Sequence, residues 1–197
     1  MKKNHCYSAN FDEKTEFLFR KSVFLGQGNN GIVYKLPDNK VIKLFVQEKV
    51  CRDEASILIK TRKSKYFPKM YSKGDLYIVR EMVNGIQLDK YIKRYGLDAE
   101  ICKNLYKLLK EFRKLKFTKI DARCKDIFVL KNKKIMIIDP KKYYKREIDY
   151  PRHLMKGLNK LGMLEFFLDN IREIDKDIVD KWLRLEQASK YNRHIRA

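Results

Sequence analysis

Between Gly26 and Lys35 the chain reads GQGNNGIVYK, three glycines in six residues that pass at once into β-branched and apolar chain. Glycine takes positive φ freely and lets another group approach the main chain closely, but it loses more entropy on folding than any other residue. What such a stretch can fold into depends on its flanks. KSVFLGQ before it and GIVYKL after it alternate as strands do, so the glycines are expected in a hairpin rather than at the mouth of a helix. A PDNK turn at Pro37–Lys40 followed by VIKLFV extends the pattern into a three-stranded antiparallel meander.

The rest of the chain divides by period. Residues Glu48 to Arg62 carry Val50, Ala55, Leu58 and Ile59 at near-helical spacing, and YSKGDLYIVREM predicts a hairpin about Gly74-Asp75. Residues 1–81 therefore read as one lobe of five antiparallel strands and one helix. Beyond a tight boundary near Met82–Gln87, residues 82–197 read as a mainly helical lobe, which makes the class α+β. LDKYIKRY and AEICKNLYKLLKEFRKLKF are expected helices, the second with Ile101, Leu105, Leu108, Phe112 and Leu115 on one stripe. DIFVL and KIMIID pair across a KNKK turn, one helix spans Tyr150 to Asp169, and a last one spans Lys176 to Tyr191 with Ile178, Trp182 and Leu185 facing one way.

Composition narrows the function classes. No apolar run approaches the roughly 18 residues of a membrane span, and MKKNHCYSANFDEK has no apolar signal core, so a cytoplasmic protein is expected. Cys6, Cys51, Cys102 and Cys124 are scattered away from the histidines, which argues against a structural zinc site. A net charge of +21 calls for an anionic partner: a nucleotide, an acidic protein, an acidic membrane surface or nucleic acid. The basic residues are spread along the whole chain rather than gathered into an arm, so a solvated basic surface is the simpler reading and nucleic acid is not favoured.

Several polar residues stand where a phosphate-handling site needs them. Gly26, Gly28, Gly31 and Val33 fit GxGxxGxV with strands on both sides, the context of a loop folded over the phosphates of ATP. Lys43 lies in the third strand between Ile42 and Leu44, either as a solvent-facing alternation or as a phosphate ligand held by a carboxylate from the next helix, Glu54 or Glu48. In the second lobe Asp121, Asp126 and Asp139 bracket the second β-pair. Mg²⁺ prefers oxygen ligands, so Asp126 and Asp139 are candidates to hold it against phosphate oxygens, with Asp121 left to orient an acceptor hydroxyl and take its proton.

Taken in order, these residues resemble a protein kinase from about Phe24 to Asp149. Lys43 in VIK matches the family's VAIK lysine and Glu54 its helix glutamate. YIVREMVNG resembles the hinge, with Arg80 at the gatekeeper position and Glu81 and Val83 offering main-chain groups to adenine. Asp121 matches the aspartate of HRD, Asp126 the second metal ligand five residues on, and Asp139 the aspartate of DFG, eighteen residues after Asp121. The resemblance implies a bilobal protein-kinase-like fold, ATP and Mg²⁺ as cofactors, and phosphate transfer to a serine or threonine or to a small-molecule hydroxyl, on a substrate that the basic charge would favour if acidic.

The departures point to a reduced member. Lys119 and Ile120 stand in place of His-Arg, Asp126 in place of asparagine, and Asp139-Pro140-Lys141 in place of DFG. Arg123 occupies the place where many protein kinases keep a lysine against the transferred phosphate. With 58 residues after Asp139 and no APE motif, the pattern resembles the Rio group, the KEOPS-complex kinase and lipopolysaccharide-core kinases more than signalling kinases. Asp149 matches either the family's buried helix aspartate or an ordinary N-cap. A pseudokinase that binds nucleotide or a partner, and a basic nucleic-acid-binding module, are the alternatives from other functional classes.

Overall fold

The computed structural model describes residues 9–140, 143–144 and 147–194. Cys6 and Lys141 lie outside the described residues. Two compact units emerge, one holding the residues up to Val83 together with Asp139 and Pro140, the other holding Asn84–Ile138 and the chain from Tyr143 onward.

The first unit is built on a five-stranded antiparallel sheet, β1 (Val23–Gly28), β2 (Gly31–Leu36), β3 (Lys40–Phe45), β4 (Met70–Lys73) and β5 (Tyr77–Glu81), in the order β1-β2-β3-β5-β4. Asp38 and Asn39 take φ of 57° and 56° in the tight turn between β2 and β3, which is why Asp and Asn, the side chains that best tolerate left-handed backbone, stand there. The central strand β3 is buried along nearly its whole length because both faces are covered. On one face Phe45 and Ile78 pack against Cys51, Ala55 and Leu58 of helix α2 (Glu48–Lys60). Ile59 was placed on that stripe by spacing but is 46% exposed, since the helix turns Cys51, Glu54, Ala55 and Leu58 inward.

The other face carries a helix beyond the single one expected for this lobe, α1 (Glu13–Phe19). Leu18, Phe19 and Phe11 of this segment pack on Leu36, Ile42, Leu44, Tyr77 and Val79. Asp12 caps α1 by accepting the Thr15 N–H at 2.8 Å, and it accepts the Tyr77 hydroxyl at 2.8 Å, which ties the helix to β5.

The second unit holds a three-stranded antiparallel sheet, β6 (Gly85–Gln87), β7 (Ile127–Leu130) and β8 (Ile135–Ile137), so the expected pair gains a third strand. Helices α3 (Leu88–Tyr95), α4 (Ala99–Lys114), α5 (Arg152–Lys160), α6 (Leu164–Arg172) and α7 (Lys176–His194) complete it. Ile101, Leu105, Leu108 and Phe112 of α4 are buried as their spacing predicts. Helix α4 packs against α6. Phe167, Ile171, Val179 and Trp182 are buried in the same unit, with the Phe167 and Trp182 rings parallel at 6.4 Å between centroids and Tyr106 of α4 meeting Trp182 edge-on at 6.2 Å.

The single helix expected over Tyr150–Asp169 is two, α5 and α6, broken at Gly162, whose φ of 68° no continuing helix accommodates. Replacing Gly162 by alanine is expected to lower stability by about 1 kcal/mol, the penalty of left-handed backbone for a side chain with Cβ, as read from urea denaturation. An unchanged midpoint would show that the break does not depend on glycine. Among the described residues, no helix is long and apolar enough to cross a membrane.

Candidate functional site

In the first unit the polar residues gather around Lys43. The register aligns Gly26 with Val33, Val33 with Lys43 and Lys43 with Ile78, so these residues form one row across the sheet on the α2 side. From that row the Lys43 ammonium donates to Glu54 Oε2 at 2.6 Å and to Asp139 Oδ1 at 2.7 Å. The Lys43 and Glu54 side chains are 8% and 3% exposed, and that of Asp139 is 21% exposed. Of the two carboxylates considered for Lys43, Glu54 makes the pair, whereas Glu48 bonds to Arg52 on the exposed side of α2. Asp139 follows β8 with φ of 57°, a left-handed conformation that aspartate tolerates better than most residues.

Burial and charge compete at each member of this group. Desolvation pushes the Lys43 ammonium down, but the Glu54 and Asp139 carboxylates outweigh it and hold its pKa above the ordinary lysine value. Desolvation lifts the Glu54 carboxyl, and the pull of Lys43 offsets this only in part. Arg80, at the position of the expected gatekeeper, is itself buried; desolvation lowers its pKa against the attraction of Glu54 and Asp139. It donates to the Glu81 carbonyl at 3.0 Å. Glu54 Oε1 and Arg80 Nε have no hydrogen-bond partner among the described residues.

The glycines separate by cause. A Cβ on Gly31 would lie 1.8 Å from the Leu44 carbonyl oxygen, so the close approach of β2 and β3 requires glycine there. A Cβ on Gly26 or Gly28 would meet nothing within 4 Å, and neither residue has positive φ. The fold itself does not demand these two bare positions. Glu81 is held by main-chain bonding to Lys69, its N–H reaching the Lys69 carbonyl at 2.8 Å, and Val83 ends the unit.

In the second unit the loop before β7 carries Asp121, Arg123 and Asp126. The loop is pinned from the far side of the chain: the Thr118 N–H bonds the Tyr143 carbonyl and the Ile120 N–H bonds that of Ile148. Asp121 is fully buried, its Oδ1 accepting the His153 N–H at 2.8 Å and the Leu154 N–H at 3.4 Å, and its Oδ2 meeting His153 Nδ1. Asp149 is exposed and does not cap α5. Asp149 is therefore neither the buried helix aspartate nor the N-cap expected as its alternatives; Asp121 accepts the N–H groups at the start of α5, where Pro151 at the helix entrance offers no side-chain acceptor. Arg123 forks onto Asp126, Nε to Oδ2 at 2.6 Å and Nη2 to Oδ1 at 2.9 Å.

Among the described residues no three His, Cys, Asp or Glu side chains group as a metal cage. Mg²⁺ does not need one, since it is held by one or two carboxylates, water and phosphate oxygens. Asp139 suits that donor set in kind, being a partly exposed carboxylate whose Oδ1 accepts from Lys43. Asp126 is an oxygen donor of the right kind whose two oxygens are taken by Arg123. Sequence reasoning passed over two residues, Arg80 as a buried charge and His153 as the partner of Asp121. A signal for the second lay in Pro151-Arg152-His153 opening an amphipathic helix.

No protein-family model matches the sequence. No curated protein matches it either. Among solved structures the chain is similar to the kinase PK-1 of Cydia pomonella granulovirus, with a TM-score of 0.51 and 17% identity over 70% of this chain. It spans 56% of that kinase's length. At this identity the likeness concerns the fold, which is α+β and of protein-kinase type, with the five-stranded antiparallel sheet in the N-terminal unit.

Proposed function

We propose that the chain is a phosphotransferase that moves phosphate from ATP to a hydroxyl of a protein serine or threonine or of a small molecule. One observation carries this reading: the Lys43 ammonium is held away from water by Glu54 and Asp139, on the same sheet row as a glycine whose bareness the fold does not require. A buried Lys–Glu pair is an expensive way to stabilise a sheet, so its retention is better explained by a ligand that uses the lysine.

In this reading the main chain of Gly26, Gly28 and Gly31 and the Lys43 ammonium hold the phosphates, with Val33 and the main chain of Glu81 and Val83 set toward the base. Asp139, and Asp126 once released from Arg123, are the residues that would hold Mg²⁺, which supplies charge neutralisation at the phosphate oxygens. Arg123, freed in the same exchange, is the candidate charge for the transferred phosphate. Asp121 serves the acceptor side of the reaction. The absent His-Arg pair before Asp121 supports a small atypical kinase rather than a signalling one, and the basic surface supports an acidic substrate in the cytoplasm.

The test is transfer from γ-labelled ATP in the presence of Mg²⁺, for the wild type, Lys43→Met and Asp139→Asn. Each variant is expected to lose about 10²–10³-fold in kcat, the range for removing one preorganised charge from a phosphoryl-transfer site. Wild-type protein that neither transfers nor hydrolyses, or variants as active as wild type, would overturn the proposal.

A second reading has its own observation. The Arg123–Asp126 fork and the complete burial of Asp121 leave two expected catalytic carboxylates engaged, as a nucleotide-binding pseudokinase would have them. Stabilisation by ATP at 100 times its Kd, about 2.7 kcal/mol, without any turnover would favour it.

A further inference from the structure

Resting on the phosphotransferase reading, we propose that the proton acceptor of this chain is His153, oriented by Asp121. Asp121 is 0% exposed, so no acceptor hydroxyl reaches its carboxylate while the start of α5 is in place. The His153 side chain, by contrast, is 38% exposed and contacts Asp121 directly through Nδ1. The carboxylate already accepts two main-chain N–H groups at Oδ1, which makes it the acceptor in this cluster. In the neutral imidazole Nδ1 is then the nitrogen that carries hydrogen, and Nε2 is the one with the lone pair. A buried carboxylate that fixes tautomer and ring orientation behind a partly exposed imidazole is the arrangement of a general base with its positioning residue.

The step balances with the substrates already named. The acceptor O–H bond breaks and its proton passes to His153 Nε2; the hydroxyl oxygen forms the new bond to the γ-phosphorus. The bond from that phosphorus to the bridging oxygen breaks, and ADP leaves with the electron pair. His153 afterwards returns the proton to water. Asp121 takes no proton and acts only through the imidazole. The motif position that resembles a catalytic aspartate is thus a positioning residue here, and the reacting group lies thirty-two residues further along the chain.

The experiment compares wild type, His153→Asn and His153→Ala, with and without added imidazole, in the whole chain, following label transfer from γ-labelled ATP and ATP hydrolysis. Asparagine retains a donor to Asp121 near the place of Nδ1 but no base, so His153→Asn is expected to keep the wild-type melting temperature and nucleotide KM while kcat falls about 10²-fold or more. His153→Ala is expected to be as impaired and to recover at least tenfold with imidazole, which a purely structural role would not produce. If His153→Asn turns over at the wild-type rate, or imidazole leaves His153→Ala unchanged while Lys43→Met is dead, the dyad is overturned and the phosphotransferase reading stands. If wild type shows neither transfer nor hydrolysis, both fall together.

Discussion

Lys43→Met is expected to destabilise the protein by about 3 kcal/mol at neutral pH, because removing one partner of a buried pair leaves the other charge without its counter-ion. Glu54 is the stranded group, with Arg80 left as the remaining cation acting on it. The loss should depend on pH in a stated direction. Burial raises the Glu54 pKa even in the wild type, and removing Lys43 withdraws a cause that lowers it. A folded carboxyl with raised pKa keeps its proton where the unfolded chain has released it, so the folded state binds more protons and stability falls as pH climbs from about 4.5 through the folded value. The raised Lys43 pKa acts elsewhere: its stabilisation is complete below 10.5 and disappears only above that. Lys43→Met should therefore be closest to wild type near pH 5 and fall further behind toward pH 8. Urea denaturation across that range checks it. A pH-independent difference, or none at all, would mean that Glu54 is not governed by Lys43. The double variant Lys43→Met/Glu54→Gln should lose the pH dependence.

The second large effect separates the three glycines. Gly31→Ala is expected to lose about 3 kcal/mol, since its Cβ would fall 1.8 Å from the Leu44 carbonyl oxygen and the obstacle is main chain rather than a movable side chain. Either β2 moves off β3 or their pairing at Gly31 and Phe45 is given up. Gly26→Ala and Gly28→Ala meet nothing within 4 Å and are expected to change stability by less than about 0.5 kcal/mol. If the proposed nucleotide role holds, those same two variants should bind ATP at least about tenfold more weakly in a thermal-shift titration, because added methyl groups stand where phosphate must approach the main chain. Equal stability losses at all three sites would show that the loop's glycines serve the hairpin alone. Unaltered ATP binding in Gly26→Ala and Gly28→Ala would remove them from the site.

Local pattern was enough for much of the architecture. The alternation around Gly26 and the turn residues Asp38-Asn39 specify a hairpin, and the stripe Ile101, Leu105, Leu108, Phe112 specifies the buried face of α4, because period and turn chemistry are short-range properties. Helix α1 was missed: seven residues carry too little periodicity to stand out, and the helix is held by the Asp12 cap and by packing on a sheet face that exists only after folding. The break at Gly162 was read through because a single glycine inside an amphipathic pattern does not reveal its φ.

At the site, spacing named Lys43, Glu54, Asp121, Asp126 and Asp139 but not what each touches. Which glutamate takes Lys43 was decided by the rotation of α2 against β3, which turns Glu54 inward and leaves Glu48 outside. That Asp121 is sealed behind His153, and that Asp126 is clasped by Arg123, follow from contacts made by the folded chain, one of them with a helix that begins thirty-one residues later. From the sequence alone came the kinds of group and their order along the chain. Their pairing and exposure are long-range properties of burial and charge, and only the tertiary structure settled which carboxylates are paired and which is sealed from solvent.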